Sequence, residues 1–151
     1  MIFTLEQLLR CEKMSILQDM HFESGLLNVV ARGEFSLEEA KGVFLEMLGA
    51  VAQYRAEKIL FDGRNLKGKP EDLERFFYGE FAARETIRLV QEHRIAPRFG
   101  YVIKEPLRDV QRFGETVALN RGMNVKTFET PEEAFQWLEI NPAKKPDAAD
   151  T

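Results

Sequence analysis

The chain has 151 residues, of which 44% are hydrophobic and 30% charged, and its net charge is −4. This is the size of one domain with a single core, and the acidic balance is not typical of a nucleic-acid-binding protein. No apolar run approaches the roughly 18 residues that a membrane span needs. We therefore expect a cytoplasmic protein with one domain in residues 1–140 and a polar tail in residues 141–151.

The chain begins with a segment that has two interpretations, followed by a predicted hairpin. Residues 1–13 form either a short helix or an extended arm, because Thr4 and Gln7 have capping-box spacing. Two β-like runs, 15–22 and 26–32, are then separated by a Glu-Ser-Gly turn of the kind that joins antiparallel strands.

Helices and strands alternate after the hairpin. Ser36 and Glu39 start a helix that continues to residue 51, and a short strand follows at 59–61. A helix is predicted from Pro70 to about His93. The remaining elements are a strand at 97–103, a helix at 107–120 ended by Gly122, a strand at 125–128 and a helix capped by Thr130.

This order predicts an α/β fold. Alternating elements give parallel strands with right-handed crossovers, and the first strand is the antiparallel exception. We expect a mixed, mostly parallel sheet of 4–5 strands with helices packed on it.

The segments after the parallel strands share one edge of the sheet, where open α/β folds bind ligands. The candidate ligand or partner residues there are Glu34, Asp62, Gly63, Arg64, Asn65, Lys67 and Lys104. Two interpretations of residues 62–70 remain open. In the first, Asp62 accepts hydrogen bonds from the backbone of its own loop. In the second, Arg64, Lys67 and Lys69 form an anion site with the next helix N-terminus.

The helix after Pro70 is crowded with aromatic residues: Phe76, Phe77, Tyr78 and Phe81. Three consecutive aromatics cover about 200° of the helix surface, so they cannot share one core-facing stripe. The spacing of Leu73, Phe77 and Phe81 predicts that these three face the sheet. Phe76 or Tyr78 must then be exposed, cover an apolar pocket or contact another protein.

The sequence offers little support for catalysis. His21, His93 and Cys11 lie on different elements without metal-ligand spacing, and no cofactor motif is present. Glu34 and Asp62 are the remaining candidates for an acid–base pair at the sheet edge. We expect no enzymatic activity and no cofactor.

Several patterns together resemble the bacterial SpoIIAA-like proteins, which relate STAS domains to CRAL-TRIO lipid carriers. These patterns are Leu26-Leu27 with Gly33, Phe61-Asp62-Gly63-Arg64 with Gly68, Glu115-Thr116-Val117-Ala118, Asn120-Arg121-Gly122, Glu133-Ala134 and Trp137-Leu138. The resemblance implies a β-α superhelix and a small, non-enzymatic module.

The resemblance also implies what this chain lacks. In classical STAS regulators, a serine in the loop after the central strand is phosphorylated and controls binding to a partner kinase. The matching residues 62–70 contain no Ser, Thr or Tyr, which excludes that switch here.

Three functions follow from these observations. The first is a regulatory or protein-interaction module that forms a homodimer through the helix at 71–93. The second is a binder of an apolar or acyl-chain molecule, as the lipid-carrier branch implies, with the phenylalanine-rich helix lining the cavity. The third is an enzyme that uses the polar groups at the sheet edge.

Overall fold

A computed structural model describes residues 16–108 and 113–140 of the chain. The expectations for residues 1–13 and for the tail at 141–151 lie outside the described residues. The elements are β1 (Ile16–Glu23), β2 (Leu26–Glu34), α1 (Leu37–Tyr54), β3 (Lys58–Lys67), α2 (Asp72–His93), β4 (Arg98–Val102), α3 (Phe113–Asn120), β5 (Val125–Phe128) and α4 (Pro131–Leu138).

The predicted fold class is confirmed. The strands form a five-stranded sheet in the order β1-β2-β3-β4-β5, in which β1 is antiparallel to β2 and the other neighbours are parallel. The hairpin turn has positive φ at Ser24 (53°) and Gly25 (81°). Positive φ at both central residues is the geometry of the tight turns that match the twist of paired strands.

The two faces of the sheet carry different helices. Side chains alternate along each strand, so Ile59 and Phe61 join the larger core with α1 and α2, whereas Leu60 faces the opposite side. On that opposite side, Leu60 packs with Ala134 and Leu138 of α4. A three-layer domain results, with α1, α2 and α3 on one face and α4 on the other.

The helix caps lie where the sequence predicts them. The Ser36 and Thr130 hydroxyls accept hydrogen bonds from the backbone N–H groups of Glu39 and Glu133. Gly122 adopts φ +97° just after α3, as a helix-ending glycine should.

The prediction that residues 62–70 form a loop is wrong for most of that segment, because β3 continues through Lys67. After Asp62 the register with β2 shifts by one residue, and Asn65 and Leu66 pair with Arg32 and Gly33. The shift is a β-bulge at Gly63. A Cβ atom there would lie 2.9 Å from Phe61 Cε1, so the bulge brings the backbone closer to the core than a side chain permits.

Two helices also differ from their predictions. The helix predicted at 107–120 has Leu107 in a turn, and its described part, α3, spans Phe113–Asn120. Helix α2 begins at Asp72, two residues after Pro70.

The predicted core face of α2 is wrong as well. Leu73 and Phe77 are 64% and 42% exposed, while the buried positions are Gly79, Ala82, Ala83, Thr86 and Leu89. Small residues form this face where α2 packs closely against α1 and α3, and they leave space between the helix and the sheet. The spacing of Leu73 and Phe77 therefore marked the wrong side of the helix, whereas Phe81 packs against the core as predicted.

Candidate functional site

A cavity of about 140 Å³ lies between the sheet and the α1–α3 layer, near the carboxyl ends of β3, β4 and β5. Its apolar lining comprises Ile16, Phe35, Ala40, Val43, Phe61, Leu66, Pro70, Ala82, Ile103, Leu107, Ala118, Met123 and Val125. The location is the sheet edge at which open α/β folds bind ligands. An apolar cavity with few polar groups is the usual form of a small-molecule site.

Two tyrosines place hydroxyl groups in the wall of the cavity. The hydroxyl oxygens of Tyr78 on α2 and Tyr101 on β4 lie 3.1 Å apart and share a hydrogen bond. Burial raises the pKa of Tyr78 to about 12, and it raises the pKa of Tyr101 well above its ordinary value. Both phenols therefore stay protonated at neutral pH, where they can donate and accept hydrogen bonds.

Among the described residues, three charged side chains also line the cavity: Arg75, Arg108 and Glu115. Glu115 is held in place, because its Oε1 accepts hydrogen bonds from the backbone N–H and the hydroxyl of Thr127. Arg75 donates from Nη2 to the Pro106 carbonyl oxygen at 2.8 Å. That contact ties α2 to the segment that carries Arg108.

The arginines have weak acidic partners. Arg75 lies 3.3 Å from Asp72 and Arg108 lies 3.8 Å from Glu129, but these two carboxylates are 83% and 69% exposed. Ion pairs with solvated carboxylates contribute little. The Arg108 side chain is itself only 9% exposed. The Nε atoms of both arginines are buried and have no hydrogen-bond partner in the described part of the chain.

Asp62, at the centre of the predicted ligand loop, holds the bulge of β3. Its carboxylate accepts hydrogen bonds from the backbone N–H of Arg64 and from Arg64 Nε and Nη2 at 3.2, 2.9 and 2.7 Å. This agrees with the first of the two interpretations of residues 62–70, in which Asp62 accepts hydrogen bonds from its own segment. The alternative anion site is weakened because Arg64 is engaged. The start of α2 also already holds a carboxylate, that of Glu74, which accepts from the Glu71 N–H.

The other predicted residues of this edge are only partly brought together. Glu34 pairs in register with Lys67 and shares a shallow depression with Asn65. Asp62 pairs with Val30, four residues before Glu34 on β2, so the backbone positions of Asp62 and Glu34 are roughly 13 Å apart at the usual rise of a strand. An acid–base pair of these two residues stays a prediction. Lys104 is exposed after β4, and a binding role for this edge stays a prediction.

The four aromatics of α2 divide between the inside and the outside of the molecule. Tyr78 and Phe81 pack against the core, and Phe81 follows the prediction. Phe77 is exposed and contacts the edge of Phe76, with ring centroids 5.6 Å apart. The Arg121 guanidinium lies 5.3 Å from the centre of the Phe76 ring. A role in an interface or a pocket stays a prediction for these residues.

Sequence reasoning missed the polar groups of the cavity. Arg75 and Arg108 occur among many charged residues, and nothing in their spacing distinguishes them from solvated arginines. Tyr101 lies in an apolar strand, and nothing in the sequence around it predicts a polar role in a cavity. The informative pattern was the small face of α2, which leaves space beneath the helix where Gly79 and Ala82 line the cavity.

Other site types find no support within the ranges 16–108 and 113–140. They contain no group of three or more His, Cys, Asp or Glu residues that could hold a metal ion. Among the helices described there, none is both long enough and apolar enough to cross a membrane.

These features describe a small α/β domain with an apolar cavity between its sheet and the α1–α3 helices. No family model and no curated protein matches the chain. A similar solved structure is that of an anti-sigma factor antagonist from Mycobacterium paratuberculosis, at 15% identity. The match covers 83% of this chain and 95% of that chain, with a TM-score of 0.53, and it confirms the fold that the resemblance implied.

A second similar structure is an uncharacterized protein of the DUF3478 family with a SpoIIAA-like fold, from Shewanella loihica PV-4. It is 18% identical and has a TM-score of 0.45, and the match covers 82% of this chain and 94% of that chain.

Proposed function

We propose that this protein is a non-catalytic regulatory module of the STAS-like type that acts by binding protein, in the first instance a second copy of itself. The observation that supports this function is the exposed apolar pair Leu73 and Phe77 on the outer face of α2. They are four residues apart, so they form one continuous patch, which Phe76 extends. The similar anti-sigma factor antagonist makes a regulatory role the natural one for this fold.

The proposed module works without a phosphoserine switch after the central strand. Residues 62–70 contain no hydroxyl side chain, and β3 occupies most of that segment. Binding is then controlled by protein concentration or by a ligand, and the outer face of α2 is always available for contact.

Self-association is tested with the double variant Leu73→Glu and Phe77→Glu. A twofold-symmetric interface uses each residue twice, so the variant places four carboxylates in a contact that was apolar. We expect the dimer dissociation constant to rise by more than about 100-fold, since burial of each such side chain contributes roughly 1.5–3 kcal/mol. Sedimentation velocity over a range of concentrations measures the change.

The matched control is Leu45→Glu, which changes an exposed leucine of α1. This variant should associate like the wild type. A wild-type protein that remains monomeric at the highest concentration, or a control that dissociates equally, contradicts self-association through α2.

A second candidate function, binding of an apolar small molecule, is favoured by the cavity. An engineered apolar cavity of about 150 Å³ binds benzene, and the cavity here, at 140 Å³, is of similar size. Native mass spectrometry of protein purified by mild extraction should show a bound mass that denaturing conditions remove. A clean apo mass, together with no binding of added apolar probes, counts against this function.

A further inference from the structure

We propose that residues 1–15 of this chain cover the apolar cavity, and that Leu5, Leu8 and Leu9 of that segment contact its rim. The segment then limits access to the cavity and competes with any apolar molecule that binds there. The proposal goes beyond both candidate functions, because the contact is made within one chain and needs neither a ligand nor a partner.

The rim of the cavity is the first reason. Within the described residues the cavity is open on one side. Four apolar lining residues at the carboxyl edge of the sheet are only half-buried: Phe35, Leu66, Ile103 and Leu107. Covering such a rim removes apolar surface from water, which is favourable when the covering group is itself apolar. The rim therefore favours an apolar occupant.

The position of Ile16 is the second reason. Ile16 lines the cavity, is 3% exposed and is the first residue that the structure describes. It pairs with Gly33 of β2, and Gly33 pairs with Leu66 of the rim. Neighbouring strands are about 4.8 Å apart, so the backbone of Ile16 lies about 10 Å from that of Leu66. Residues 1–15 therefore join the sheet at the edge that carries the rim.

The sequence of the segment is the third reason. Leu5, Leu8 and Leu9 have the spacing that places three side chains on one face of a helix. The residues among and after them are polar: Glu6, Gln7 and Arg10. Residues 10–15 can span up to about 20 Å when extended, which exceeds the distance from Ile16 to Leu66. The three leucines can therefore reach the rim.

Other occupants are less suited to this position. The last described residue, Ile140, packs with α4 on the opposite face of the sheet, so residues 141–151 begin away from the rim. Residues 1–15 are tethered beside the rim, and a short tether gives an effective concentration on the order of millimolar. A free apolar molecule must compete with that concentration, so the segment is a built-in competitor.

Methyl NMR on the full chain tests the contact directly. We expect nuclear Overhauser effects from the methyl groups of the three leucines to those of Leu66, Ile103 and Leu107. None should reach Leu60 or Leu138, which pack on the opposite face of the sheet. An equal mixture of two differently labelled preparations distinguishes contacts within one chain from contacts between two copies.

Two triple variants change equal numbers of residues in the segment. The test variant carries Leu5→Ser, Leu8→Ser and Leu9→Ser, and the control carries Glu6→Ser, Gln7→Ser and Arg10→Ser. The test variant should shift the rim methyl signals and bind benzene about tenfold more tightly than the wild type. A cover that is in place for roughly nine-tenths of the time leaves one-tenth of the molecules open, which gives this factor. The control should match the wild type in both measurements.

A cavity-filling variant shows where benzene binds. Ala82→Leu enlarges a buried lining residue, and it should abolish benzene binding if the probe occupies the cavity. Thermal unfolding of each variant confirms that it is folded. Benzene affinities that are equal in the wild type and in the triple leucine variant, but abolished by Ala82→Leu, overturn the proposed competition.

The remaining outcomes separate this proposal from the ligand-binding function. If the folded wild type shows no contact between the three leucines and the rim, the proposal is overturned. Contacts found only between differently labelled chains assign the cover to a second copy, which also overturns it. If the contacts are present within one chain and no variant binds benzene, the covering segment is supported and the ligand-binding function is contradicted.

Discussion

Tyr78 has a different environment in the structure from the one that its neighbours in the sequence suggest. As one of three consecutive aromatics, it was a candidate for exposure or for a partner contact. In the fold it packs against the core, its hydroxyl bonds to that of Tyr101, and its ring contacts the edge of Phe44. The partner hydroxyl on β4 is what makes burial of this phenol favourable, and local sequence does not reveal it.

Burial of Tyr78 predicts a loss of stability in alkaline solution. Its pKa is about 12 in the folded protein and about 10 in the unfolded chain. The folded state therefore holds the proton more tightly, and the stabilisation is complete below pH 10 and lost as the pH rises toward 12. A shift of this size corresponds to about 3 kcal/mol. Urea unfolding between pH 9 and pH 12, read by circular dichroism, measures the loss.

Tyr78→Phe isolates the contribution of this phenol from the general effect of alkaline pH. The substitution should lower the free energy of unfolding by about 1 kcal/mol at neutral pH, because Tyr101 loses its hydrogen-bond partner. Above pH 10, the free energy of unfolding of the variant should fall less steeply than that of the wild type. Tyr54→Phe, at an exposed tyrosine, should follow the wild-type curve. Parallel pH curves for the wild type and Tyr78→Phe would refute the buried-phenol account.

At the scale of elements, α2 owes its position to small residues. A Cβ atom on Gly79 would lie 2.6 Å from the carbonyl oxygen of Gly114 on α3, so the two helices touch backbone to backbone. A glycine at the contact also lets α4 approach β4 closely, because a Cβ atom on Gly100 would lie 3.3 Å from Leu138. The Gly79 contact sets how closely α2 approaches α3 beside the cavity, whereas the Gly100 contact lies on the opposite face of the sheet.

The close approach at Gly79 predicts that Gly79→Ala destabilises the protein although alanine favours helices. Forcing a methyl group against the Gly114 carbonyl should cost about 1–3 kcal/mol, because one helix must shift. Gly42→Ala on α1 meets nothing within 4 Å, and it should stabilise the protein by up to about 1 kcal/mol. Urea unfolding midpoints of the two variants should therefore move in opposite directions, and movement in the same direction would contradict this packing.

The elements themselves were predictable to different degrees. The helix N-termini at Ser36 and Thr130 could be predicted from the sequence, because a capping residue bonds to the backbone within one turn of the helix. The length of β3 was not, because its second half depends on pairing with Arg32, Gly33 and Glu34 of a distant strand. The polar sequence around Asp62 and Arg64 predicts a loop, but backbone hydrogen bonds to the neighbouring strand make it part of β3.

At the scale of the whole molecule, the two candidate functions use opposite sides of α2. The outer face presents Leu73 and Phe77 to a partner, and the inner face lines the cavity with Tyr78 and Ala82. A ligand below the helix and a protein on top of it therefore contact the same element. The two functions are compatible in one molecule, and the variants that test them alter different faces.

The alternation of helices and strands, the antiparallel hairpin, the caps and the resemblance that the fold confirms could all be predicted from the sequence. These features depend on period, turn chemistry and capping, which act over a few residues. Which face of α2 is buried, how far β3 extends and where the charged groups meet all depend on packing between distant segments. Arg75 is distant in the chain from Tyr101 and Arg108, and their meeting beside one cavity depends on how closely small residues let the layers pack.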